Sequence, residues 1–182
     1  MEFQVGQQVI YPNHGVGKIE NIERKQIGTD ALAMYQLRLF FNNTTILVPV
    51  KNAVEIGLRK PVTAYECDTI IKALSEDCSD IPSDWKVRSK IYSDILRRGL
   101  LPEVADVFKK LTYLSRTKPL SFREQRLLEK ARYLVISELA AVCQNTECEV
   151  EARVFAAIDQ ACAKQNEFAG SDGKMALTAT VH

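Results

Sequence analysis

Thirteen lysines and arginines crowd residues 85–137: Lys86, Arg88, Lys90, Arg97, Arg98, Lys109, Lys110, Arg116, Lys118, Arg123, Arg126, Lys130 and Arg132. Only five carboxylates share that stretch, Asp94, Glu103, Asp106, Glu124 and Glu129, so its local charge is +8. The flanking segments carry +2 (1–62), −5 (63–84) and −4 (138–182), which is how the whole chain comes to only +1. A concentration of cations in one part of a near-neutral chain suits the binding of a polyanion, because each cation can displace a condensed counterion from it. A helical surface laced with ion pairs would need more acids than this segment contains. Nucleic acid is the favoured partner. The alternative is a protein–protein adaptor whose basic helical part binds an acidic partner.

The residues that suggest catalysis do not assemble into a site. His14 lies in the turn Pro12-Asn13-His14-Gly15 with no nucleophile or paired carboxylate nearby, and general-base chemistry needs such partners. Gly15-Val16-Gly17 lacks the lysine and hydroxyl residue that a phosphate loop places after its glycines. Five cysteines, Cys67, Cys78, Cys143, Cys148 and Cys162, are scattered and odd in number, which reads as reduced thiols on helices. Cys143 and Cys148 are not spaced like a zinc-ligand pair, and neither His14 nor His182 is close to them in sequence. No enzyme, metal site or cofactor is expected.

The elements that would position the cations fall into two groups. With 182 residues, 46% hydrophobic and 26% charged, the chain can bury one or two modest cores. It has no apolar run long enough to span a bilayer, and Met1-Glu2-Phe3-Gln4 lacks the basic start and apolar stretch of a signal peptide, so a cytoplasmic protein is expected. With DNA as its favoured partner, it is expected to be nucleoid-associated, and a monomer. Strand patterns at 8–11, 16–27, 33–41 and 45–48, with turns at 12–15 and at Asn42-Asn43, predict a small SH3-like or Tudor-like barrel over 1–62. Gly17 marks a point where side chains would crowd. A helix over 63–74 and a polar segment at 76–83 that reads as a linker or hinge then lead into a helical bundle, the α+β chain placing its helical domain at 63–168.

Helix signals are local and dense. Ser83 or Asp84 can cap a helix that Gly99 stops, and Pro102 suits the first turn of the next, with Val104, Val107, Phe108, Leu111 and Leu114 on one face. Ser121/Glu124 and Thr146/Glu149 form capping boxes for two more, with Ala131, Leu134 and Val135, and then Val150, Val154, Ile158 and Ala161, facing inward. In the first of these helices Val87, Ile91 and Ile95 form an apolar stripe. Trp85 falls near Tyr92 and Leu96, a place that suits either core or contact, while Arg88 lies inside the apolar arc and could anchor an ion pair. The small residues and glycines of 169–182 predict a loose tail.

Val9-Ile10-Tyr11-Pro12-Asn13-His14-Gly15-Val16-Gly17-Lys18-Ile19, then Leu47-Val48-Pro49-Val50 and Gly57-Leu58-Arg59, resemble the polymerase-binding domain of the CarD/CdnL family of bacterial transcription regulators. Pro82-Ser83-Asp84-Trp85-Lys86-Val87-Arg88, Gly99, Glu103 to Val107 and Glu129-Lys130-Ala131-Arg132 are similar to the helical DNA-binding domain of the same family. The resemblance covers roughly residues 3–141. It implies that the barrel holds the RNA polymerase β subunit, and that Trp85 wedges into the DNA minor groove at the upstream edge of the transcription bubble and stabilises the open complex. Lys86, Arg88, Lys90 and Lys130 would then face phosphates. On the barrel, Arg24, Lys25, Thr45, Ile46 and Leu47 are the candidate polymerase contacts. Family members can carry a basic residue near the place of Leu47, so an apolar contact would replace an ionic one here. The barrel also resembles the polymerase-binding module of transcription-repair coupling factors, without a helicase motor.

Overall fold

Asn13 adopts a left-handed backbone (φ 61°), and His14 N–H donates to the Tyr11 carbonyl at 2.9 Å, so the chain folds back on itself at the predicted turn. That turn joins β1 (Gln8–Tyr11) to β2 (Gly15–Ile27); β2 pairs on its other side with β3 (Asp30–Leu39), and β3 with β4 (Thr45–Pro49). All pairs are antiparallel, in the order β1-β2-β3-β4. The computed structural model describes residues 3–27, 30–78 and 81–175.

A register shift between Ile19 and Asn21 bends β2, and an isolated bridge from Ile10 to Arg59 brings the end of the unit back to β1. The result is the expected small β fold, a curled half-barrel. Gly17 sits where predicted crowding is real: a Cβ there would lie 2.8 Å from the Arg38 carbonyl oxygen and from a Leu37 methyl. Val9, Ile19, Tyr35, Leu37, Leu39 and Val48 fill the interior, with Phe3 folded against the Tyr35 ring. After β4 the chain makes a 3-10 turn (Val50–Asn52) and one helical turn, α1 (Ala53–Ile56), neither legible in the strand-like pattern.

Helices α2 (Ala64–Leu74), α3 (Trp85–Arg98), α4 (Leu101–Thr117), α5 (Phe122–Cys143) and α6 (Glu147–Met175) form the second unit. Thr63/Glu66 and Ser121/Glu124 make reciprocal capping boxes, and Thr146 and Glu149 bond each other in the same pattern. Asp84 caps α3 through a 2.7 Å bond from Lys86 N–H, and Gly99 ends it at φ 70°. The predicted stripe of α4 is fully buried. One continuous core links all five helices. α6 continues through Met175, beyond Ala169, where loss of amphipathic period predicts its end: no proline interrupts it, and a helix already propagating passes a glycine at about 1 kcal/mol. The rest of the expected loose tail, 176–182, lies outside the described residues. Among the described residues no helix is long and apolar enough to cross a membrane.

The phase of α3 differs from the predicted one. Val87 and Ile91 are 49% and 42% exposed, and the buried face is Arg88, Ser89, Tyr92 and Leu96. Arg88 causes this: its Nε donates to Glu124 at 2.9 Å, its Nη2 bonds the same carboxylate, and Nη1 donates to the carbonyls of Pro82 and Ser83. A guanidinium with its donors satisfied can enter a core that an unpaired one cannot, and it turns the helix with it.

The described ends of the 76–83 segment are held by side chains of the helical unit. Arg88 holds the carbonyls of Pro82 and Ser83, and the buried Lys109 donates to the carbonyls of Ala73, Glu76 and Asp77.

The two units meet along a defined joint. Arg59 donates to both oxygens of Glu138, at 2.6 and 2.8 Å, and to the Gly99 carbonyl at 2.7 Å; Val62 N–H adds a bond to Glu138. Pro12 lies against Gly99 so closely that a Cβ would sit 3.1 Å from the proline Cα. The Phe41 ring packs against Tyr133, tilted by 57°, with ring centroids 4.7 Å apart.

Candidate nucleic-acid interface

Trp85 opens α3 and is 47% exposed, with the Lys86 ammonium 5.8 Å from its ring centroid. Asp84 fixes the helix start, and Arg88 fixes the helix rotation, so the indole is presented at the end of a clamped element. Lys90 follows on the exposed surface of the next turn. Such a group can insert an apolar plane at a base step while cations hold the flanking phosphates.

Arg88 is not among those cations. It is 1% exposed and spent on Glu124 and two backbone carbonyls, so its predicted phosphate contact is replaced by a positioning role. Burial pushes the Glu124 carboxyl up, but the Ser121 hydroxyl and Arg88 more than offset it, and its pKa is held below the usual range. Lys130 is drawn to the barrel side of α5: its ammonium lies 5.8 Å from the Phe41 ring, and burial lowers its pKa. His14 stays exposed in its turn beside the Tyr11 ring, its pKa lowered by burial and then by Lys130. No group of three potential ligands clusters for a metal among the described residues.

Ion pairing sorts the remaining cations. Arg97, Arg98 and Lys110 pair with carboxylates of their own segment, whereas Arg116 and Arg132 take Asp159 and Glu151 from α6, acids that a segment-by-segment charge count assigns elsewhere. Lys109 is buried on backbone carbonyls. Among the described residues, Lys86, Lys90, Lys118, Arg123, Arg126 and Lys130 have no carboxylate within the 4.0 Å of an ion pair. Two of these are on α3 with Trp85. Lys118 closes α4, and Arg123 and Arg126 lie in the first turns of α5, which the Arg88–Glu124 pair holds beside the start of α3. Phe122, 74% exposed with the Arg126 guanidinium 5.8 Å from its ring, stands among them; its position just inside a capping box was readable, but its exposure was not.

On the barrel, β4 is an edge strand, and Thr45 and Leu47 are exposed while Ile46 turns toward the core. Leu39 N–H donates to Thr44 O, and the antiparallel alternation from that pair directs the Ile46 N–H to β3 and those of Thr45 and Leu47 outward. Arg24 and Lys25 pair with Ala33 and Leu32 at the far end of the β2–β3 hairpin, and Lys25 also meets Glu23 at 3.3 Å. β3 separates them from β4, so the five predicted contacts do not form one edge.

Residues 3–62 match the CarD-like/TRCF RID domain, and residues 69–155 match the CarD C-terminal domain. A Bacillus subtilis (strain 168) protein named "Putative transcription factor YdeB" is 30% identical over 149 residues, spanning 82% of this chain and 97% of that protein.

Proposed function

The chain belongs to the CarD/CdnL family of transcription regulators, and on that premise we propose that it binds RNA polymerase and promoter DNA together and stabilises the open complex. The barrel takes the polymerase β subunit along the outward edge of β4, where Thr45 and Leu47 offer backbone donors and Leu47 an apolar side chain. The helical unit places Trp85 at the upstream edge of the bubble, with Lys86 and Lys90 on phosphates, without reading sequence. Two modest contacts on one chain raise each other's effective concentration, so neither has to be tight alone.

The observation that carries this reading is the half-exposed Trp85 at the head of a helix whose opposite end is fastened to the barrel at Gly99 and Arg59. The 14 residues of α3 make a strut of about 21 Å at 1.5 Å per residue. A wedge on a strut keeps its distance from the polymerase-bound end, which a wedge on a mobile loop does not.

Trp85→Ala tests it. Half of the indole is already in water, so the truncation should cost about 1–2 kcal/mol of stability, less than the 3–5 of a buried aromatic. Open-complex lifetime on a promoter should shorten at least about fivefold, because a stacked ring contributes about 1–3 kcal/mol. A large drop in melting temperature with an unchanged complex lifetime would refute the wedge. An adaptor for an acidic protein would instead show no salt-sensitive affinity for forked promoter DNA.

A further inference from the structure

We propose that Phe122, at the start of the helix that the Arg88–Glu124 pair ties to the start of α3, is a second base-stacking contact with the Arg126 guanidinium over its ring, and that with Trp85 it takes unpaired DNA in preference to intact duplex. The proposal rests on the DNA-binding reading above and extends it to a residue on another helix.

The start of α5 repeats the start of α3. A capping residue (Asp84, Ser121) precedes an aromatic at the first helical position (Trp85, Phe122), and a cation reaches over the ring (Lys86, Arg126), at 5.8 Å from the centroid in both cases. The two starts are held together by one buried ion pair: Trp85 lies three residues before Arg88, and Phe122 two before Glu124. Phe122 is not needed to build the fold. It is 74% exposed, and the capping bonds of α5 are made by Ser121 and Glu124.

Charge decides the kind of partner. A bare aromatic on a surface suits an apolar protein face as well as a base, but here Lys86 lies over Trp85 and Arg126 over Phe122, and Lys90, Lys118 and Arg123 stand within five residues of one ring or the other in sequence. These are five of the six cations of 85–137 that the described fold leaves without carboxylates. Stacking rings set among cations are what single-stranded nucleic acid requires, base against ring and phosphate against ammonium or guanidinium. In a continuous duplex the faces of the bases are covered by their neighbours. At a junction between paired and unpaired DNA a base on either side is open, and two rings at adjacent helix starts can take one each.

The test measures affinity of the full chain for forked and fully paired DNA of the same sequence, by fluorescence anisotropy at fixed salt, with melting temperature in parallel. Phe122→Ala and Phe122→Leu should each weaken binding to the fork by about 5- to 150-fold, the range of one lost stack, with little change on duplex and no change in melting. Phe122→Tyr should bind as the parent does. If Phe122→Ala binds the fork like the parent while Trp85→Ala does not, this inference fails and the DNA-binding reading survives. A parent chain that binds neither DNA overturns both. Parent-like affinity of Phe122→Leu overturns stacking. A Phe122→Ala chain that loses polymerase capture but keeps its affinity for DNA assigns the ring to a protein contact and overturns the inference as well.

Discussion

Replacing Arg88 with methionine should destabilise the helical unit far more than it weakens DNA binding. Arg88 and Glu124 are 1% and 3% exposed, and the guanidinium donates to Glu124 Oε1 and to two backbone carbonyls. Without it, Oε1 is left buried and charged, while Oε2 keeps the Ser121 N–H and hydroxyl at 3.0 and 2.7 Å. Breaking a buried pair on one side costs about 3–5 kcal/mol. In a chain of this size melting in one transition each kcal/mol is worth about 2–4 °C, so the melting temperature should fall by at least about 6 °C in a calorimetric scan. Arg88→Met combined with Glu124→Leu should recover most of the loss, because no charge is then stranded. The salt dependence of DNA binding by that double variant should match the parent's. Glu124 adds a pH signature. Its folded pKa is depressed, so its contribution is present above the ordinary value of 4.5 and is lost as pH falls through the folded value. Arg88→Met removes that advantage, so the gap in melting temperature between variant and parent should narrow as the solution is acidified. An unchanged melting temperature together with a salt slope lowered by about one would mean that the guanidinium contacts a phosphate after all, and the argument from burial would be wrong.

Two further outcomes are expected. Leu47→Pro removes a donor that points away from the sheet and should impair capture of RNA polymerase while leaving DNA affinity intact, whereas Ile46→Pro removes a ladder bond to Leu37 and should destabilise the barrel itself; equal polymerase capture by a folded Leu47→Pro chain would exclude this edge. Arg59→Ala leaves the 2%-exposed Glu138 with only the Val62 N–H among its described partners and should cost about 2–4 kcal/mol, splitting the thermal transition in two; one transition at the parental midpoint would show that the joint does not couple the units.

What was legible in the sequence is what depends on neighbours within four residues or on a simple period. The hairpin at 12–15, the close approach at Gly17, the Asp84 cap, the Gly99 stop, the Ser121/Glu124 box and the buried stripe of α4 all arise from bonds or periodicities inside one segment. The family motifs are equally local, and they span both units. Trp85 stands out in the sequence as a candidate, but position alone could not decide between core and surface.

Tertiary structure decided that question and the others like it, because each turned on a partner far along the chain. Arg88 is inside and Val87 and Ile91 are outside because Glu124 lies 36 residues away at the right place to receive a guanidinium. Thirteen cations look alike in sequence, yet α6 neutralises two of them and carbonyls at and just after the end of α2 bury another, so most of the cations left without carboxylates among the described residues of 85–137 stand near the starts of α3 and α5. Arg59 and Glu138, 79 residues apart, fasten barrel to bundle through a pair that no spacing rule records. Local bonding is written in the order of residues; the satisfaction of a buried charge depends on which distant group the packing brings to it, and only the folded chain holds that information.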